Sequence, residues 1–283
     1  MNGRFVQSIK SVLPDPSFVQ TNIYEKMYSP EELAAMIIRD FKNKIEDFLG
    51  TEINGAVFGR PVNFSTIGAD DVLAETRLRA AAERCGFSRI EFLYEPVAAA
   101  ARYTPELSAD SVALVCDFGG GTADFSVIRL ETGGTIRIPA SHGVRIGGDD
   151  LDSEIMWHRL VGYFGHGTLY ESYGKLLPVP IHIYRTIRRW DRIAFLKTME
   201  YRDELTYIRN GAVDKAGISR LISLIDDDLC YALFQAIRAA KHELSEHDTA
   251  AVRFFEHGIE LKERIRAEEF GEYIQDELLG IDA

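Results

Sequence analysis

The sequence predicts an α/β layer fold, and three observations carry that prediction. Apolar β-rich runs alternate with amphipathic helical segments along the first half of the chain. One long helix has clear start and stop signals, SPEE at 29–32 and Gly50. Two β-rich runs, 111–118 and 124–130, flank a glycine cluster in CDFGGGTADF, residues 116–125.

Each element follows in order. In the helix 30–49, Ser29 caps, Pro30 suits the first turn and Glu32 completes a capping box. Leu33, Met36, Ile37, Phe41, Ile45, Phe48 and Leu49 recur at helical spacing before Gly50 ends it. A short strand within 55–61, a helix 71–84, a strand 89–93 and a small-residue helix 97–103 opened by Glu95-Pro96 come next. After Pro105 the hairpin runs are joined by a third strand, 135–141. From Asp149 the chain turns mostly helical: 163–180 reads as irregular, 226–244 as one helix, 251–257 and 259–265 as a hairpin, and a last helix reaches about Leu279.

Composition excludes several functions. With 283 residues and 46% hydrophobic content the chain can bury a core of one large domain or two lobes. Its net charge of −12 repels nucleic acid and anionic membranes. No run approaches the roughly 20 apolar residues of a membrane span, and the N-terminus lacks the apolar core of a signal peptide, so a cytoplasmic protein is expected. Cys85, Cys116 and Cys230 show no paired spacing and read as buried thiols of a reducing compartment. The seven histidines show no metal spacing, and His242 and His247 read as solvated. Arg185, Arg188, Arg189 and Arg192 read as covering a surface or a contact between subdomains.

The glycine cluster is neither a P-loop nor a dinucleotide fingerprint, since Asp124 stands where a third spaced glycine would be needed. A hairpin turn would explain its glycines and leave Asp117, Thr122 and Asp124 unexplained. Successive N–H groups of such a turn form an anion-binding nest, and flanking acids suit hydrated Mg²⁺.

CDFGGGTADFSVI resembles the second phosphate hairpin of the actin-like ATPases, and most of all the DnaK heat-shock chaperone family. SPEELAAMIIRDFKNKIEDFLG, GAVFGRPVNF, YEPVAAAARY (94–103), GVRIGGDDLD (143–152) and AAKHELS (239–245) resemble further family segments in the family's order. GRPVNF and RIGGDDLD are most similar to short bacterial chaperone-like ATPases without a peptide-binding domain. The resemblance implies a two-lobe actin-like, ribonuclease H-like fold. It divides the chain into partial lobe I (1–105), a lobe II sheet with the phosphate hairpin (106–146), and an upper helical and hairpin subdomain of lobe II (147–283).

It also implies an ATPase with ATP/ADP and Mg²⁺ as ligands, lobe closure as its signal, and a co-chaperone or other protein partner. Residue by residue, Gly119, Gly120, Gly121 and Thr122 would cradle the β- and γ-phosphates, and Asp117 and Asp124 would lie by the metal. Glu95 would sit near the attacking water and Lys10 would neutralise the transferring phosphoryl group. Gly147 and Gly148 would approach the nucleotide, and Lys241 and Ser245 would face adenosine. Plain readings compete: Glu95 as a helix-capping acid, Lys10 as a solvated lysine, Lys241 and Ser245 as the polar face of a helix. The family's first phosphate loop and final adenine loop have no counterpart, and Arg238 and His242 replace an acid and an arginine. An incomplete nucleotide-binding domain with weak or absent turnover is therefore expected, and client folding by this chain alone is not. The alternatives are a non-catalytic nucleotide-sensing scaffold and a filament-forming actin-like protein.

Overall fold

The computed structural model describes residues 9–23, 26–64, 68–101, 109–132 and 134–282. They fall into two compact units, 1–145 and 146–283. The boundary expected near 105 falls within 102–108, outside the described residues.

The first unit begins with a short helix α1 (Ile9–Val12) and a small antiparallel pair, β1 (Thr21–Ile23) and β2 (Lys26–Tyr28). Helix α2 (Pro30–Leu49) starts on the expected capping box: Ser29 Oγ accepts from the Glu32 N–H, and Glu32 Oε2 accepts from the Ser29 N–H at 2.9 Å. Gly50 ends it at φ 66°, a left-handed conformation that glycine adopts without strain. Strand β3 (Gly55–Arg60), helix α3 (Gly68–Arg84) and parallel strand β4 (Arg89–Tyr94) form a β-α-β unit. Helix α4 (Glu95–Ala101) follows β4 directly. Strands β5 (Ser111–Phe118), β6 (Ala123–Leu130) and β7 (Ile136–Val144) make an antiparallel meander.

The apolar stripe of α2 packs at one end alone. Ala34 and Ala35 meet Ala81, Ala82, Cys85 and Phe87, a small-residue contact that lets two helix backbones approach closely. Met36, Ile37, Phe41, Ile45, Phe48 and Leu49, which recur at helical spacing, are exposed. One face of β5 is likewise open, at Val112, Leu114 and Phe118, and this corrects one thiol: Cys116 is exposed, whereas Cys85 and Cys230 are buried. Alternation along the strand places Cys116 on the open face.

The second unit opens with α5 (Gly148–Ile155), continuing through a π-helical turn at Met156–Leu160 and a 3-10 turn at Val161–Phe164. The segment read as irregular holds a hairpin, β8 (Leu169–Ser172) with β9 (Lys175–Pro178). Its two-residue turn is Tyr173-Gly174, both at positive φ; a tyrosine there is not among the usual turn signals. Helix α6 (Ile181–Ile187), a 3-10 segment (Trp190–Lys197), α7 (Met199–Gly211) and α8 (Lys215–Asp226) follow. The expected single helix 226–244 is broken, because Asp228 stands at φ 58° before α9 (Cys230–Glu243). Hairpin β10 (Thr249–Glu256) with β11 (Ile259–Arg266) turns at His257-Gly258, as expected from its two runs. Two helices, α10 (Ala267–Tyr273) and α11 (Gln275–Asp282), replace the expected single one. Of the arginine cluster, Arg188 pairs with Glu154 and Arg189 with Asp150, both within this unit. One apolar core joins these elements, with Phe164, Tyr184, Leu221, Leu233 and Phe234 fully buried.

Two substitutions separate periodicity from packing. Phe234→Ala is expected to lower stability by about 3–5 kcal/mol in urea unfolding, as for a buried aromatic. Phe41→Ala, on an equally periodic but exposed position, should stay within about 0.5 kcal/mol.

Candidate functional site

The carboxyl ends of the two parallel strands meet one small cleft. β3 runs out into Pro61 and Val62, and β4 into Glu95 and Pro96. These four residues line the cleft with Val115, Asp117, Asp124 and Ser126 of the β5–β6 ladder. Strand ends of this kind are where α/β sheets hold ligands. Glu95 is the first residue of α4, where the helix dipole favours a carboxylate. Lys10, on α1, donates from Nζ to Glu95 Oε1. Arg60, at the end of β3, donates to the Pro61 carbonyl at 3.1 Å and pairs with Glu75, fixing the strand-proline turn.

The hairpin register sets Asp117 directly opposite Asp124. Burial raises the Asp124 carboxyl above its ordinary range. The hydroxyl of Thr122, donating to Asp124 Oδ2 at 3.1 Å, counters this; Asp117 and Glu95 push the carboxyl further up, and Lys10 counters again. The next strand makes room for it: a Cβ added at Gly143, which pairs with Asp124, would lie 2.4 Å from Asp124 Oδ1.

Gly119–Thr122 form the exposed tip between β5 and β6. The Gly119 N–H donates to the Thr122 carbonyl at 2.8 Å, closing the turn and engaging one donor of the expected cradle. Neither Gly119 nor Gly121 has a left-handed φ, and a Cβ at Gly121 would meet nothing within 4 Å. The backbone conformation and the protein's own atoms thus leave Gly121 without an internal reason to be glycine.

The other expected site residues belong to the second unit. The Gly147 N–H donates to Asp150 Oδ2 at 2.9 Å at the start of α5. Lys241 Nζ lies 2.6 Å from Asp152 Oδ1 and donates to the Gly148 carbonyl at 2.8 Å. Arg238 reaches Asp149 Oδ1 at 2.8 Å and Asp152 Oδ2 at 3.3 Å. Lys241 is therefore more than a solvated face residue, since it ties α9 to the start of α5. Ser245 is exposed, two residues beyond the helix end, and His242 and His247 are exposed as expected. Asp149, Asp152 and Arg238 received no site role from sequence; their partners lie 86 and 89 residues apart, and no local pattern announces the pairing.

The chain was compared with known proteins. The Hsp70 protein family matches residues 5–167, more than half of the chain. A chaperone protein HscA homolog of Bordetella pertussis is 36% identical over 148 residues, covering 52% of this chain and 23% of that protein. A homolog of the same name from Burkholderia multivorans is 34% identical over 145 residues, 51% of this chain and 22% of its own length. The chain thus spans less than a quarter of the length of these relatives. Lys10, Glu95, Asp117, Gly119–Thr122, Asp124, Gly147 and Gly148 fall inside the family match; Lys241 and Ser245 fall outside it.

Two outcomes test this geometry. The folded state holds the Asp124 proton more tightly than the unfolded state, whose pKa is about 3.8. Stability should therefore fall as pH rises from that value through the higher folded one, and ionised Asp124 costs stability above it. Asp124→Asn should raise the urea midpoint at pH 7, with the gain vanishing on acidification below about pH 3.8; a lower midpoint at pH 7 would contradict the assigned strain. Asp152, fully buried between two cations, should be costly to remove: Asp152→Ala is expected to lose about 3–5 kcal/mol in the same assay.

Proposed function

Because the chain belongs to the Hsp70 family, whose fold is that of the actin-like ATPases, we propose that it is a chaperone-like nucleotide-binding protein whose phosphate site is the β5–β6 turn. The observation that carries this reading is the unexplained glycine tip above a pair of carboxylates, at the ends of two parallel strands. N–H groups of Gly120, Gly121 and Thr122 would receive phosphate oxygens, as successive amides of a tight turn do. The Thr122 hydroxyl would orient the nearer phosphate while its present partner, Asp124, turns to the metal.

The residues fit Mg²⁺. Lys10 pairs with Glu95, and the Asp124 carboxyl, raised first by its burial, is pushed further up by the Asp117 and Glu95 carboxylates, which a bound cation would offset. Among the described residues no three acidic, His or Cys groups converge as a full ligand set. Asp117 and Asp124 would therefore hold the ion with water and phosphate completing its shell, the usual habit of Mg²⁺. When bound, the ion neutralises charge on the phosphates. Glu95 would accept a proton from, or orient, the attacking water. Lys10 would leave Glu95 for the phosphoryl oxygens, since positioning and electrostatics supply most of phosphoryl-transfer catalysis.

Gly147, Gly148, Lys241 and Ser245 would contribute the wall facing the nucleoside, and closure of two lobes would be the signal given to a co-chaperone. A second reading, a nucleotide-sensing scaffold without turnover, draws support from the Lys10–Glu95 pair, in which the two expected catalytic groups satisfy each other.

Calorimetry with ATP and Mg²⁺ tests the reading. One exposed turn offers few donors, so binding on the order of 1 mM, or ~4 kcal/mol, is expected. Thr122→Ala and Asp117→Asn should each abolish it, as should removal of Mg²⁺, and turnover should lie at or below detection. Micromolar binding indifferent to both substitutions would place the site elsewhere.

A further inference from the structure

Lys10 sits on a helix of four residues, too short to hold itself in place. What holds it lies on α3. The Arg77 side chain is nearly buried, and its guanidinium gathers the main chain that follows α1. Nη1 donates to the carbonyls of Val12 (3.1 Å), Leu13 (2.9 Å) and Asp15 (2.8 Å), and Nη2 donates to Phe18 (3.1 Å). Glu31, in the first turn of α2, lies 3.4 Å from Nε and balances the charge. The Asp15 carboxylate closes the same stretch locally, accepting from the Ser17 N–H and hydroxyl. Leu13, in the same segment, is fully buried.

We propose that Arg77 is the positioning residue for Lys10: by binding four successive-segment carbonyls it fixes the exit of α1 and thereby presents the Lys10 ammonium to Glu95. A guanidinium suits this task because its planar fork of donors satisfies several carbonyls at once, which an ammonium on a flexible stem does less well. Partly buried carbonyls at and beyond the end of α1 also need partners, and Arg77 supplies them where no strand does. The significance of the pair for nucleotide chemistry rests on the function proposed above; the positioning itself does not.

Lysine reactivity in the 283-residue chain tests it, read by mass spectrometry after brief acetylation. Glu95→Gln sets the scale for an unpaired Lys10. Arg77→Ala should raise Lys10 acetylation about two- to fivefold, the range for losing an exposed ion pair. Lys42, paired with Glu46 on α2 in the same unit, should not change. Arg77→Lys, which keeps the charge and loses the fork, should give a smaller rise and carries the test if the alanine variant fails to fold. Lys10 unchanged in Arg77→Lys and in any folded alanine variant would overturn the proposal, as would Lys10 and Lys42 rising together, the mark of general loosening. A separate arm adds Mg²⁺ and ATP to the unsubstituted chain: failure to protect Lys10 would count against the nucleotide reading and leave the role of Arg77 standing.

Discussion

Two carboxylates set directly opposite each other across an antiparallel ladder repel, and the first unit is organised around that placement. The register that pairs Asp117 with Asp124 follows from the alternation of the two strands, whose core-facing positions are Ala113, Val115 and Ile128. A slip by one residue would separate the acids, and it would also turn Ile128 out of the core. Packing therefore enforces the repulsion. Its surroundings moderate it: Thr122 donates to Asp124, Gly143 leaves space for its carboxylate, and Lys10 adds positive charge nearby.

The second unit solves the opposite problem. Asp152 is fully buried and would be untenable alone, yet Arg238 and Lys241 meet it from α9. The two cations balance the buried carboxylate, although its Oδ1 accepts no hydrogen bond, and the arrangement joins the start of α5 to the end of α9 by charge as well as by apolar contact. Such a triad gives modest net stability compared with an apolar core, but it tolerates few alternative geometries. The helix start bearing Gly147 and Gly148 inherits that constraint through the hydrogen bond from Lys241 to the Gly148 carbonyl.

What the sequence revealed was local. The α2 cap, the hairpin around the glycines and the second hairpin near the C-terminus all rest on residues within a few positions of one another, and each was legible. The break at Asp228 and the turn at Tyr173-Gly174 were not, because both depend on non-glycine residues adopting positive φ under tertiary control. The stripe on α2 was legible as periodicity, but periodicity does not say which part of a stripe is covered. At the candidate site the motif residues could be named individually. Their companions could not: Arg77 serves Lys10 across more than sixty residues of chain, and a lone arginine in a helix gives no sign of that work.

The open face of β5 has a practical side. Of the three thiols two are buried, so a maleimide dye would enter at Cys116. That residue precedes Asp117 on the strand and points to the opposite side of the sheet, away from the cleft. A fluorophore attached there would ride on the same strand as the paired carboxylates without covering them. The native chain thus carries its own single labelling handle, one residue from the chemistry it would report.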